Sequence, residues 1–378
     1  MIMLKLHVVT LTIVSFLFTL AIPFESRVLA MSKPAPEPTP KKTEGWLVPR
    51  ELVESTDLKI LWQFDLPLSG RESLDKLFIF GSRLCALSSR NFLSCLNRAD
   101  GNVIFSGNIA PPGLPLAGIE CFKDELITIV GNKFNEISIE SGAQKASMPV
   151  SAGSTCPVVR NDDFFYIAGQ DRRLHALKAS NKVLAFNAAA ENDSRITSVL
   201  ADQDFVVFAT DKGNVICIRA DKPVKLWQFD APAAAVPPIV RDANSLYFAC
   251  RDTNIYRLNL SGDLVWKYQT QAILDTAPQV GARVLYQYIP DVGLIAINKE
   301  TGKQIWQVDN GVGLLAESGD KAFVITKAGL LIAMDNVKAK QLYAVNIGKP
   351  VKFAVNSLDS KIYIADAEGR FACLEPVR

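Results

Sequence analysis

Beyond residue 57, apolar and polar residues alternate with a period of two, in short runs rich in valine, isoleucine and aromatic side chains. This spacing puts successive side chains on opposite faces of an extended backbone, so it predicts strands and not helices. Two kinds of run recur. The first reads apolar, small, apolar, polar, and has eight copies, among them Ser94-Cys95-Leu96-Asn97, His175-Ala176-Leu177-Lys178, Ile295-Ala296-Ile297-Asn298 and Ala372-Cys373-Leu374-Glu375. The second often follows a turn with glycine, as at Gly101, Gly142, Gly262 and Gly302, and centres on a bulky residue. Trp62, Trp227, Trp266 and Trp306 are its strong cases, Phe105, Phe186 and Tyr343 its weaker ones, and the copy near Ala146 is degenerate.

The repeat advances by about 40 residues, the size of one four-stranded propeller blade. The chain is therefore expected to be all-β, an eight-bladed β-propeller of four-stranded blades. The last small-residue strand ends at Glu375 with no anchor strand after it, and the first anchor strand, 58 to 64, has no blade before it. Joining them predicts a closing blade made of residues 58 to 64 and roughly 344 to 375, which leaves no unpaired edge between the two ends. An open array or a seven-bladed ring with one irregular insert is the competing arrangement. In the closed ring the four tryptophans are expected to be structural anchors packed between neighbouring blades, not walls of a cofactor pocket.

The N-terminal region has a different composition. Lys5 precedes an apolar run from Leu6 to Ile22, and Val28-Leu29-Ala30 offers small residues near a cut site, so 1–30 reads as a signal peptide. Residues 31–57 read as a Pro-rich linker, with alternating prolines at 34, 36, 38 and 40 favouring an extended spacer. The propeller is assigned to 58–378. These features place the protein outside the cytoplasm, periplasmic or secreted. The alternative is a membrane-proximal protein anchored by an uncleaved N-terminal helix. Lysine and arginine total 41 against 39 aspartates and glutamates, so no global field favours nucleic acid.

The stretch from Gly293 through Ala296-Ile297-Asn298 and Thr301-Gly302-Lys303 to Trp306, with Gly329 to Asp335, resembles the repeat of the pyrroloquinoline-quinone-type (PQQ-type) propellers. The resemblance covers about residues 58 to 375. It implies either of two branches: quinoprotein dehydrogenases, or non-catalytic periplasmic propellers such as the propeller lipoprotein of the outer-membrane β-barrel assembly machinery. Size and export favour the second. The chain departs from that lipoprotein in having no lipid-accepting cysteine near residue 30.

Candidate chemistry is sparse. After the signal segment His175 is the only histidine, and it lies in the repeated strand. The seven cysteines form no Cys-x-x-Cys, and no two are adjacent, whereas the alcohol dehydrogenases of the quinone family carry a vicinal pair. Cys95, Cys217 and Cys373 occupy the small-residue column and are expected to pack between blades, with Cys85 and Cys95 the candidates for a cross-hairpin disulfide. No catalytic residue, cofactor or metal site is expected. The informative surface is the set of loops joining one blade to the next, which a propeller gathers on one face. The most polar of them, 188 to 195, supplies Asp193 and Arg195 as candidate partner-binding residues. The expected function is an exported, non-catalytic scaffold that binds a protein or envelope component. The alternatives are a PQQ-dependent dehydrogenase and a structural repeat protein without a discrete site.

Overall fold

The computed structural model describes residues 47–54, 56–66, 68, 72–151, 153–348 and 352–377. The expected signal peptide and the linker up to residue 46 lie outside the described residues. The repeat folds into eight four-stranded antiparallel sheets. Blade 1 runs from strand Leu74–Phe80 to Val103–Asn108, blade 2 from Leu116–Phe122 to Gln144–Pro149, and blade 3 from Val159–Arg160 to Leu184–Ala189. Blade 4 runs from Ile196–Ala201 to Lys225–Asp230, blade 5 from Ala235–Asp242 to Leu264–Gln269, blade 6 from Gln279–Val280 to Gln304–Asp309, and blade 7 from Gly311–Ser318 to Lys340–Asn346. Blade 8 takes Lys352–Ala354, Ile362–Ala365 and Arg370–Pro376 from the C-terminus and Leu58–Asp65 from the N-terminus.

The closing strand pairs antiparallel with the last one, Leu58 opposite Pro376, Ile60 opposite Leu374 and Asp65 opposite Arg370. The predicted closure is present. Its C-terminal share begins at Lys352, because Lys340–Asn346 pairs with Leu330–Asp335 and completes blade 7. Eight apolar clusters fill the eight seams between adjacent blades. The closing seam brings Leu74, Leu84 and Leu96 of blade 1 against Tyr363, Phe371 and Cys373 of blade 8. Arg98 reaches across it to Asp359 at 2.8 Å and to the Tyr363 hydroxyl at 3.2 Å. Because each blade is covered on both sides, its middle strands are apolar throughout: Leu246, Tyr247, Phe248, Ala249 and Cys250 are all buried.

A β-bulge recurs at one place in every blade. Between third and outer strand the register skips one residue immediately before the anchor, at Leu226 before Trp227, Val265 before Trp266 and Ile305 before Trp306. The closing strand does the same at Leu61, before Trp62. An extra residue in an outer strand bends it and re-aims the next side chain. The anchor rings accordingly lie on the neighbouring blade. Trp62, Trp227 and Trp266 rest over Gly101, Gly262 and Gly302, each close enough that a Cβ there would come within 2.8 Å of the indole. These glycines also hold a positive φ, so two independent constraints exclude a side chain. Each of the three indoles donates Nε1–H to a backbone carbonyl of the blade it covers, that of Arg98, Leu260 or Lys299.

Upstream of the closing strand, Val48 and, from a short helix Arg50–Glu54, Val53 are buried in the seam of blades 7 and 8. The Gln63 side chain donates to the Val48 carbonyl at 3.0 Å and accepts from its N–H at 3.2 Å. The last part of the 31–57 segment is thus packed onto the ring. Cys85 and Cys95 lie directly opposite in adjacent strands of blade 1 and form a disulfide. Cys217 and Cys373 are buried and unpaired.

Candidate functional site

A cavity of about 830 Å³ opens where blades 2, 3 and 4 meet. Three of the blade-joining loops contribute to it, through Pro115–Ala117, Ser154–Thr155 and Asn192–Arg195. The remaining walls are hairpin turns between the second and third strands: Gly131 in blade 2, Gln170 and Arg172 in blade 3, Asp211 and Lys212 in blade 4. Asp193 and Arg195 both line it. The residues that loop composition did not single out are Arg172, Gln170 and Lys212. They come from hairpin tips far from residue 193 in sequence, and only the curvature of the ring brings them together.

The 188–195 loop is tied down at several points. The Glu191 carboxylate accepts from Lys225 at 2.8 Å and from Gln228 at 3.0 Å, which fastens the loop to the outer strand of blade 4. Ser194 Oγ donates to the Glu191 carbonyl at 2.7 Å. The Arg195 N–H donates to Asp211 Oδ1 at 3.1 Å, and the Asp211 N–H returns a bond to the Arg195 carbonyl. Asn192 and Asp193 both take the left-handed conformation, with φ of 54° and 49°. Asparagine and aspartate tolerate it best, and such outliers persist only where surrounding bonds over-determine them. The result is an exposed Asp193 carboxylate ion-paired with Arg172, whose guanidinium also donates to the Asp193 carbonyl at 3.0 Å. The Arg195 guanidinium and the Lys212 ammonium have no ion-pair partner among the described residues. The cavity therefore combines an apolar wall (Leu116, Ala117 and Ile129) with one pre-set ion pair and two free cations.

Glu120 lies in the strand whose first residues line this cavity. Its carboxyl is largely buried, makes no hydrogen bond or ion pair among the described residues, and is pushed up to about 7 by burial. The folded protein binds this proton where the unfolded chain, at the ordinary carboxylate value, does not. Its stabilising effect is complete below pH about 4.5 and disappears as pH rises through about 7. Glu120→Gln is expected to stabilise the protein at about pH 8 by on the order of 2–3 kcal/mol and to change little at about pH 4.5. Urea unfolding at both pH values checks this; equal midpoints for variant and wild type at the higher pH would contradict it.

His175 is buried in the third strand of blade 3, with Nε2 2.9 Å from both carboxylate oxygens of Asp171. Trp306, unlike the three anchors Trp62, Trp227 and Trp266, donates to a side chain, Asn336 Oδ1, at 2.8 Å. Among the described residues no three His, Cys, Asp or Glu side chains are grouped to hold a metal ion.

Among solved structures the propeller is similar to the computationally designed Ika8 protein, with a TM-score of 0.64 and 12% identity over 80% of this chain and 96% of that one. It is equally similar to BamB from Moraxella catarrhalis, with a TM-score of 0.64 and 12% identity over 84% of this chain and 97% of that one. At such identities the likeness concerns the fold. No curated protein matches the sequence. The family profile described as outer membrane protein assembly factor BamB matches at residues 133–284, 225–349 and 290–376. Those matches span well over half of the 378 residues, and the chain belongs to this BamB family of PQQ-like β-propellers.

Proposed function

We propose that this protein is an exported, non-catalytic scaffold that binds a protein partner during assembly of the cell envelope, and that the cavity at blades 2 to 4 is where the partner docks. The observation that carries the reading is the Asn192–Arg195 loop. It holds a strained backbone and five anchoring bonds that present Asp193 and Arg195 at the rim of this cavity. Rigid loops that present polar side chains beside an apolar wall suit recognition, since little order remains to be imposed on binding. Family membership supports the scaffold role, and the apolar run ahead of residue 30 supports export.

The test is capture of partners from envelope extracts by the purified protein, with quantitative mass spectrometry. Asp193→Asn, which keeps the left-handed backbone, combined with Arg195→Ala is expected to weaken capture about tenfold or more, the loss of roughly 1.4 kcal/mol or more of binding free energy, while leaving the unfolding midpoint nearly unchanged. Undiminished capture would remove this cavity as the docking site.

A further inference from the structure

One seam of the ring is built differently from the others. At the anchor position blade 2 has Ala146, opposite Glu136 in the third strand. In blades 1, 3, 4, 6, 7 and 8 the corresponding pair is an aromatic residue opposite alanine or cysteine. The large and small partners have exchanged strands. The turn of blade 3 that should receive the ring has changed as well: Lys182, with a φ of 60°, stands where Gly101, Gly142, Gly262 and Gly302 stand in blades 1, 2, 5 and 6 and the small Ala339 in blade 7. The three differences fit together. Glu136 carries its carboxylate into the seam and pairs with Lys182 at 3.0 Å and with Arg160 at 3.3 Å. Arg160 also pairs with Glu125 at 2.9 Å, and Glu125 with Lys145 at 3.0 Å. An ionic joint replaces the ring laid on glycine.

Two further features lie at this seam. A half-open pocket of about 190 Å³ indents it, walled by Met148, Ile167, His175, Leu177 and Lys182. The first strand of blade 3, Val159–Arg160, is only two residues long, as is Gln279–Val280 of blade 6, whereas blades 4, 5 and 7 have six to eight. Beside the apolar cluster of Ile127, Ile129, Phe134, Val158, Phe165, Ile167 and Leu177, Arg160 is held between the rings of Phe122 and Phe165, and Phe134 lies edge-on to Phe165. Buried ion pairs contribute less to stability than the apolar packing they displace, because both charges must be desolvated.

We propose that the seam between blades 2 and 3 is the joint at which this propeller opens under native conditions. The docking cavity straddles the same seam, with Gly131 on the blade 2 side and Arg172 on the blade 3 side, so opening the joint widens the cavity. That consequence for binding rests on the partner reading above; the opening itself does not.

Native cysteines buried in other seams supply the controls: Cys217 and Cys250 between blades 4 and 5, and Cys373 between blades 8 and 1. Ile127→Cys, or as a second probe Val158→Cys, places a buried thiol in the 2–3 seam away from both cavities. Under native conditions, labelling by N-ethylmaleimide resolved by mass spectrometry is expected to be at least tenfold faster at either probe than at the three controls. Glu136→Gln, which strands Lys182, should speed probe labelling further. Restoring the ring joint with Ala146→Trp, Glu136→Ala and Lys182→Gly together should bring it within about twofold of the controls. Labelling of both probes at the control rate would overturn the proposal, as would a fast rate that neither Glu136→Gln nor the restored ring joint alters. No partner is needed, so this result and the capture result stand or fall separately.

Discussion

A chain that begins at Leu66 is expected to lose cooperative folding, whereas one that begins at Met31 keeps it. Removing the closing strand exposes the whole edge of Arg370–Pro376, whose backbone groups pair with Leu58–Asp65 in the ring. It also withdraws Leu58, which is 4% exposed, the Trp62 ring over Gly101, and the buried Val48 and Val53 of the preceding segment. Loss of the Trp62 ring alone corresponds to about 3–5 kcal/mol. The sum exceeds about 5 kcal/mol, the lower end of the total stability of a typical domain. An unpaired edge next to bare apolar surface also recruits other chains. Size-exclusion chromatography and urea unfolding followed by circular dichroism check this. A shortened chain that elutes as a monomer with the same midpoint would show that the ring does not depend on its N-terminal strand.

Trp306→Ala is expected to cost about 3–5 kcal/mol, the range for deleting a large buried aromatic side chain. Trp306 is 5% exposed, and its ring centre lies 5.7 Å from that of Tyr286. Its indole N–H donates to Asn336 Oδ1; Asn336 Nδ2 donates to the Tyr286 hydroxyl at 2.8 Å, and that hydroxyl donates to Glu317. Burial together with the Glu317 carboxylate holds the phenol well above its ordinary value, so it remains a donor throughout the accessible pH range. Alanine leaves a cavity between blades 6 and 7 and a half-buried Asn336 acceptor without its donor. Trp306→Phe keeps most of the volume and loses only the hydrogen bond, so about 1 kcal/mol is expected. Urea midpoints for the two variants separate packing from hydrogen bonding. An alanine variant within about 1 kcal/mol of wild type would remove the ring from any anchoring role.

The fold was legible because each blade repeats the same local problem. Small residues at 95, 176, 217, 296, 333 and 373 and bulky ones at 62, 105, 186, 227, 266, 306 and 343 recur in one phase, and the deficits at the two ends are complementary. The candidate site was legible only in part. Asp193 and Arg195 stood out because their loop is polar among apolar loops. Arg172 and Lys212 carry no such signal, since each is one charged residue in an ordinary hairpin turn. The exchange at Ala146, Glu136 and Lys182 could be seen in sequence only as a weak copy of the repeat. Its chemical sense needs the side chains of two blades side by side.

The sequence by itself determined the strand period, the number of blades and the strand that closes them, because these follow from local alternation and from the repeat. Only the tertiary structure decided where each anchor ring lands, because a bulge before it turns the outer strand toward the next blade. Likewise, only the ring's curvature joins three loops and three hairpin tips into one cavity. Residues far apart along the chain meet there by packing, and packing between blades leaves no periodic trace at a single polar position.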